Sequence, residues 1–167
     1  ISIYNVFEEN GTAYYVMKYI ANGSLKDIVE QQGALSEKTA LSFIRKIGSA
    51  LNYIHGKKIL HLDIKPASIL LDDKQPILID FGISKRYDVS GHQTSSTPVG
   101  ISKGFAPMEQ YSQGGIKGFD PSTDVYSLGA TLFYLLTGEV PPEASIVNED
   151  GLPSLPNKIT AGTAQAI

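Results

Sequence analysis

Apolar positions follow two periods along this chain, and the switches between them predict its elements. Residues 2–8 and 13–20 are apolar-rich runs joined by Glu9-Asn10-Gly11-Thr12. Asn-Gly accepts positive φ at both centres of a tight turn, so these runs are predicted to form a hairpin. Asn22-Gly23-Ser24 breaks the pattern, and Leu25 to Gln32 reads as a short helix that Gly33 ends. Ser36 suits a helix N-cap. Beyond it Ala40, Leu41, Phe43, Ile44, Ile47, Leu51 and Ile54 recur at helical spacing. Residues 37–55 are therefore predicted to be a long amphipathic helix, stopped by Gly56. Ile69-Leu70-Leu71 and Ile77-Leu78-Ile79 flank Asp72-Asp73-Lys74-Gln75-Pro76, the pattern of a second small hairpin. Ser122 to Thr137 is apolar nearly all round, as a buried central helix requires. Gly138 and Pro141-Pro142 end it. The tail is Pro-rich, with a further helix expected at Thr160 to Ile167.

Composition adds mostly exclusions. A chain of 167 residues, 42% hydrophobic and 19% charged, suits one soluble domain with a sizeable core. A net charge of −3 gives no argument for nucleic acid or an anionic membrane surface. No apolar run reaches the length of a membrane span, and Ile1 to Glu9 does not read as a signal peptide. The chain has no cysteine, which excludes disulfides and thiolate metal sites and is compatible with a reducing, cytoplasmic setting. Ile1 in place of an initiating methionine suggests a processed piece. Residues 83–121 are rich in Gly, Ser, Thr, Pro and Lys, and a structureless stretch this long in a compact domain is functional, mobile or wrongly assigned.

Four motifs occur in one order. His61-Leu62-Asp63-Ile64-Lys65-Pro66-Ala67-Ser68 comes first. Asp80-Phe81-Gly82 follows an apolar strand, and Pro107-Met108-Glu109 closes the irregular stretch. Asp124-Val125-Tyr126-Ser127-Leu128-Gly129 then opens the apolar helix. Each is weak alone, but in this order they resemble the protein kinase catalytic domain, whose catalytic loop reads H-R-D-L-K-P-x-N. The resemblance covers essentially the whole chain. Glu109-Gln110-Tyr111 and Leu136-Thr137-Gly138 look most like bacterial serine/threonine kinases.

The resemblance implies Mg²⁺ and ATP as cofactors and a protein hydroxyl as acceptor. Asp63 would be the base; read alone, it could equally cap a local turn. Lys65 would reach the γ-phosphate, and with Pro66 after it resembles serine/threonine rather than tyrosine kinases. Asp80 would bind Mg²⁺, with Gly82 easing the backbone beside it. Ser68 stands where the family has asparagine as the second metal ligand; its hydroxyl is shorter and weaker, which puts full activity in question. Leu62 replaces the arginine that pairs with a phosphorylated activation loop, so modification at Thr94, Ser95, Ser96 or Thr97 would lack its usual partner. His61 and Asp124 would support the loop, and Ser102 would contact both base and lysine. Met17, Lys18 and Ile20 resemble the adenine-binding hinge, Leu70 the floor beneath the base, and Ser24 a ribose contact. An ordinary core strand is the competing reading of that segment. His55 and His92 are expected at the surface.

Some family parts do not occur in these residues. There is no G-x-G-x-x-G, and no strand lysine with a helix glutamate. Past Glu109 there is no arginine to pair with it, Arg86 being the last. The expected fold is α+β and mainly helical: a kinase-like C-terminal lobe over 21–167, with a residual small-lobe hairpin and hinge over 1–20, truncated at both ends. The expected function is ATP-dependent phosphorylation of serine or threonine by the parent protein, with this piece alone inactive. The alternative is a pseudokinase or scaffold. Partners would be a protein substrate and ATP, with no nucleic acid and no membrane. A lone hairpin is marginal in water, so its exposed edge could also pair with a second copy.

Overall fold

In the computed structural model, residues 1–81, 85–86, 100–111, 119–165 and 167 are described. Gly82, His92 and Thr94 to Thr97 lie outside the described residues.

The first hairpin joins β1, Ile3–Glu9, to β2, Thr12–Met17. Asn10 and Gly11 both take positive φ, 52° and 71°, as the Asn-Gly signal demands. Antiparallel pairing runs from Glu9 opposite Thr12 to Ile3 opposite Met17, with an irregularity between Ile3 and Asn5. Phe7 stacks on Tyr14 with ring centroids 5.1 Å apart.

Ser24 caps α1, Leu25–Gln32, through a reciprocal capping box with Asp27. The Ser36 hydroxyl accepts the Thr39 N–H at the start of α2, Glu37–Gly56. Gly56 does not stop this helix as expected; it forms the last turn, and Lys57 caps it. Ala40, Phe43, Ile47 and Leu51 make the buried stripe. They pack on the central helix, Pro121–Thr137, labelled α3. Pro121 occupies its first turn, where no N–H is needed, and Gly138 closes it at φ 78°. Phe133, Leu135 and Leu136 of α3 are essentially fully buried, each contributing about 1.5–3 kcal/mol by leaving water.

Among the described residues, three two-stranded antiparallel sheets complete the frame. Beyond the first hairpin, β3, Ile59–Leu60, pairs with β6, Lys85–Arg86. This long-range ladder has no periodic signature in the sequence. The second predicted hairpin is β4, Ile69–Asp72, against β5, Gln75–Leu78. Backbone bonds join it to the segment before α1, since Leu71 N–H donates to Gly23 O at 3.0 Å. Two short helices end the chain: α4, Ala144–Asp150, which the Pro-rich tail did not suggest, and α5, Ala161–Gln165. Thr160 and Thr163 hydroxyls donate to Glu37, holding α5 at the start of α2. The core is thus helical, and the small sheets flank it.

Candidate active site

The loop from His61 to Ser68 is built on a buried carboxylate. Asp124, in the first turn of α3, is fully buried. Its Oδ2 accepts the His61 N–H at 2.9 Å and its Oδ1 the Leu62 N–H at 2.8 Å. A third donor is Nε2 of His55, 2.7 Å from Oδ2. His55 is therefore not a surface residue as expected: its side chain is 12% exposed and belongs to the loop's support. Six residues before the loop and 69 before its carboxylate partner, it carried no local signal.

Further bonds fix the loop from within. The His61 ring donates from Nε2 to Ile79 O at 2.9 Å, and its Nδ1 accepts the Asp63 N–H at 3.3 Å. The ring therefore uses both nitrogens in its neutral form. Burial pushes its pKa below the usual histidine range, against the opposing pull of the Ile79 carbonyl and of Asp124, Asp63 and Asp80. Phe81 meets the same ring edge-on at 4.8 Å. Leu62 is buried beside Leu60 and Phe119, so its side chain serves packing where a family arginine would serve charge. Glu109, for which no arginine occurs later in the sequence, accepts the Thr123 hydroxyl at 2.8 Å.

Asp63, Lys65 and Ser102 meet as one cluster. Lys65 Nζ lies 2.7 and 3.0 Å from the two Asp63 oxygens. Ser102 Oγ donates to Asp63 Oδ1 at 2.6 Å and accepts from Lys65 Nζ at 2.9 Å. The Asp63 side chain remains 13% exposed. A groove of about 490 Å³ begins at Lys65 and Ser102 and continues over Pro66, Ala67, Phe105 and Tyr134.

The residues predicted for metal are neighbours through their backbones. Ile79 N–H donates to Ser68 O at 2.9 Å, which sets Asp80 next to Ser68's strand start. Asp80 is exposed, with φ 67°. Ser68 is buried, and its Oγ donates to Asp63 O at 2.8 Å. Both offer oxygen only, the donor type that suits a hard cation such as Mg²⁺. That hydroxyl keeps lone pairs but spends its proton on the loop.

On the hinge side, Ser24 bridges to Leu70 and the Lys18 ammonium pairs with Asp72 of β4. Ser24 and Lys18 are thus brought beside the strand that holds Leu70. Ile20 is buried, while Met17 is half exposed at the end of β2. Lys18 donates its N–H to Ser2 O at 3.0 Å. The Ser24 hydroxyl is engaged in its capping box, with Oγ 2.7 Å from Asp27 Oδ2, and is not aimed outward for a ribose. Gln110 enters the sequence reading only within Glu109-Gln110-Tyr111, with no role of its own; its amide Nε2 donates to Leu62 O at 2.8 Å.

The family model described as protein kinase domain matches residues 1–159. The chain belongs to the protein kinase family. It is 36% identical over 157 residues to a probable serine/threonine-protein kinase zyg-1 of Caenorhabditis briggsae, covering 91% of this chain and 21% of that protein. Serine/threonine-protein kinase PknA of Nostoc is 36% identical over 149 residues, covering 85% of this chain and 26% of that protein. Serine/threonine-protein kinase PrkC of Bacillus subtilis is 34% identical over 142 residues, covering 84% and 21%. The chain therefore spans about a quarter or less of the length of these relatives. No helix among the described residues is long and apolar enough to cross a membrane.

Proposed function

We propose that the protein containing this chain transfers the γ-phosphoryl group of Mg·ATP to serine or threonine hydroxyls of protein substrates. The observation that carries this reading is the cluster at Asp63. A carboxylate held by an ammonium and a hydroxyl, on a loop fixed to a buried carboxylate, can orient an acceptor hydroxyl and take its proton. The acceptor oxygen forms its bond to the γ-phosphorus as the bond to the β–γ bridging oxygen breaks. ADP departs, and the acceptor proton goes to Asp63. Lys65, now on Asp63, would turn toward the γ-phosphate when nucleotide binds. Asp80 and Ser68 would hold Mg²⁺, which supplies charge compensation on the phosphates. Met17, Lys18, Ile20 and Leu70 would bound the adenine.

Residues 1–167 contain no glycine-rich phosphate loop, and each such missing electrostatic contact costs about 10²–10³ in rate. This piece alone is therefore proposed to be inactive. A second reading, a pseudokinase with weak nucleotide binding, is favoured by one observation: the Ser68 hydroxyl is already donated to Asp63 O. The test is titration with Mg·ATP, then a transfer assay on the full-length protein, each with Asp80→Asn and Asp63→Asn. Saturable binding lost in Asp80→Asn and transfer cut to a small residual rate in Asp63→Asn are expected. Transfer undiminished in Asp63→Asn would remove Asp63 as base, and binding without any transfer would favour the pseudokinase.

A further inference from the structure

Leu62 stands in the left-handed region at φ 66°, a conformation that glycine adopts freely but that is rare for a bulky side chain. Such a residue persists only where its surroundings hold it from several sides. Three restraints act on Leu62. Its side chain is 2% exposed, against Leu60 and Phe119. Its N–H is held by Asp124 Oδ1 at 2.8 Å. Its carbonyl is held by Gln110 Nε2, also at 2.8 Å. That carbonyl belongs to the peptide that leads directly into Asp63.

Gln110 is 7% exposed and sits on the 3₁₀ turn Met108–Tyr111. Ser102, which bonds the Asp63 carboxylate itself, lies on the same described segment, 100–111. One segment therefore grips Asp63 twice. Ser102 holds the carboxylate end, and Gln110 holds the peptide from which the side chain springs. With a carboxamide in place, the Leu62 carbonyl has a donor that neither water nor a substrate needs to supply.

We propose that Gln110 is a positioning residue for phosphoryl transfer, fixing the aim of Asp63 through the Leu62 carbonyl. This rests on the reading of Asp63 as the base. Its consequence is that the setting of Asp63 is coupled to the seating of segment 100–111 by an uncharged bond. A small misplacement of a catalytic group can cost up to about 10²-fold in rate. Gln110→Met keeps the length and apolar contacts of the side chain and removes the donor.

The test is a kinetic cycle in the full-length protein with Gln110→Met, Asp63→Asn and the double variant. The expected result for Gln110→Met is a fall in kcat of about 10- to 100-fold, with KM for Mg·ATP little changed. In the Asp63→Asn background the same substitution should cost nothing further. Wild-type kcat in Gln110→Met, or the same fold loss with and without Asp63, would overturn the proposal. Full transfer by Asp63→Asn alone would instead overturn the base assignment, which the cycle reads separately. Should Gln110→Met fail to fold, Gln110→Asn carries the same cycle, since it keeps the amide but falls one methylene short. Mg·ATP binding verifies that each variant has folded.

Discussion

Nε2 of His55 stands 2.7 Å from Oδ2 of Asp124, joining the last turn of α2 to the carboxylate that carries the loop from His61 to Ser68. Asp124 thus has three donors and no contact with solvent. Removing it orphans the buried His61 and Leu62 N–H groups, at about 1–3 kcal/mol each. Removing His55 deletes one donor and leaves the two backbone bonds, at about 0.5–3 kcal/mol. Urea unfolding of the full-length protein should therefore rank Asp124→Ala well below His55→Phe, with both below wild type. Equal stability of Asp124→Ala and wild type would contradict the support assigned to this carboxylate.

The difference between His55 and Asp124 also marks where sequence reasoning stops. Asp124 lies inside a motif at the head of an apolar helix, so its place was legible. His55 sits on a helix already explained by its apolar stripe, and its partner is 69 residues away. Local periodicity carries no information about such a pair. The same holds for β3 with β6, two residues each and 26 positions apart between Ile59 and Lys85. By contrast the helices of α1, α2 and α3 and both hairpins came from caps, turns and periods, which are local. Asp63, Lys65 and Ser102 were each proposed from motif order, and they do meet. Ser24 suits a ribose contact and an N-cap alike by type, and the structure gives it the cap. Asp27 at the third position of α1 was the available signal for the cap.

Gly104 is pinned by both conformation and space. Its φ is 79°, and a Cβ there would sit 2.4 Å from Pro141 O and 2.7 Å from Val140 Cγ1. The carbonyl is backbone and cannot swing aside. Gly104→Ala should therefore unseat segment 100–111, at roughly 1–3 kcal/mol for the strained backbone alone. Because Ser102 lies on that segment, peptide phosphorylation should fall more steeply than Mg·ATP affinity. Parallel transfer and nucleotide-binding measurements would check this, and equal losses in both would argue for general unfolding.

Ser68 invites a gain-of-function test. Asparagine can donate from Nδ2 to Asp63 O, as the Ser68 hydroxyl does at 2.8 Å, while its Oδ1 remains a metal ligand. Ser68→Asn should lower the Mg²⁺ concentration required for half-maximal transfer several-fold, with a smaller change in KM for peptide. The readout is a Mg²⁺ titration at fixed Mg·ATP. An unchanged or raised requirement would mean that Ser68 does not face the metal.

His61 makes stability depend on pH in a direction that can be worked out. Burial holds its folded-state pKa below the value of about 6.5 that it has when unfolded. Between those two values the unfolded chain binds a proton that the folded chain refuses, so stability rises with pH across that window. The neutral ring's contribution is fully present above about 6.5 and is lost as pH falls below it, levelling off beneath the folded value. Protonation at Nδ1 would also cost the Asp63 N–H its acceptor, since that bond of 3.3 Å needs a lone pair. Replacing His61 with Gln should lower stability at neutral pH and flatten the fall between pH 7 and 5. Melting temperatures of both proteins at half-unit steps would measure the two slopes. If the wild-type slope persists unchanged in His61→Gln, the acid sensitivity comes from other groups, and His61 is not held neutral against its unfolded state.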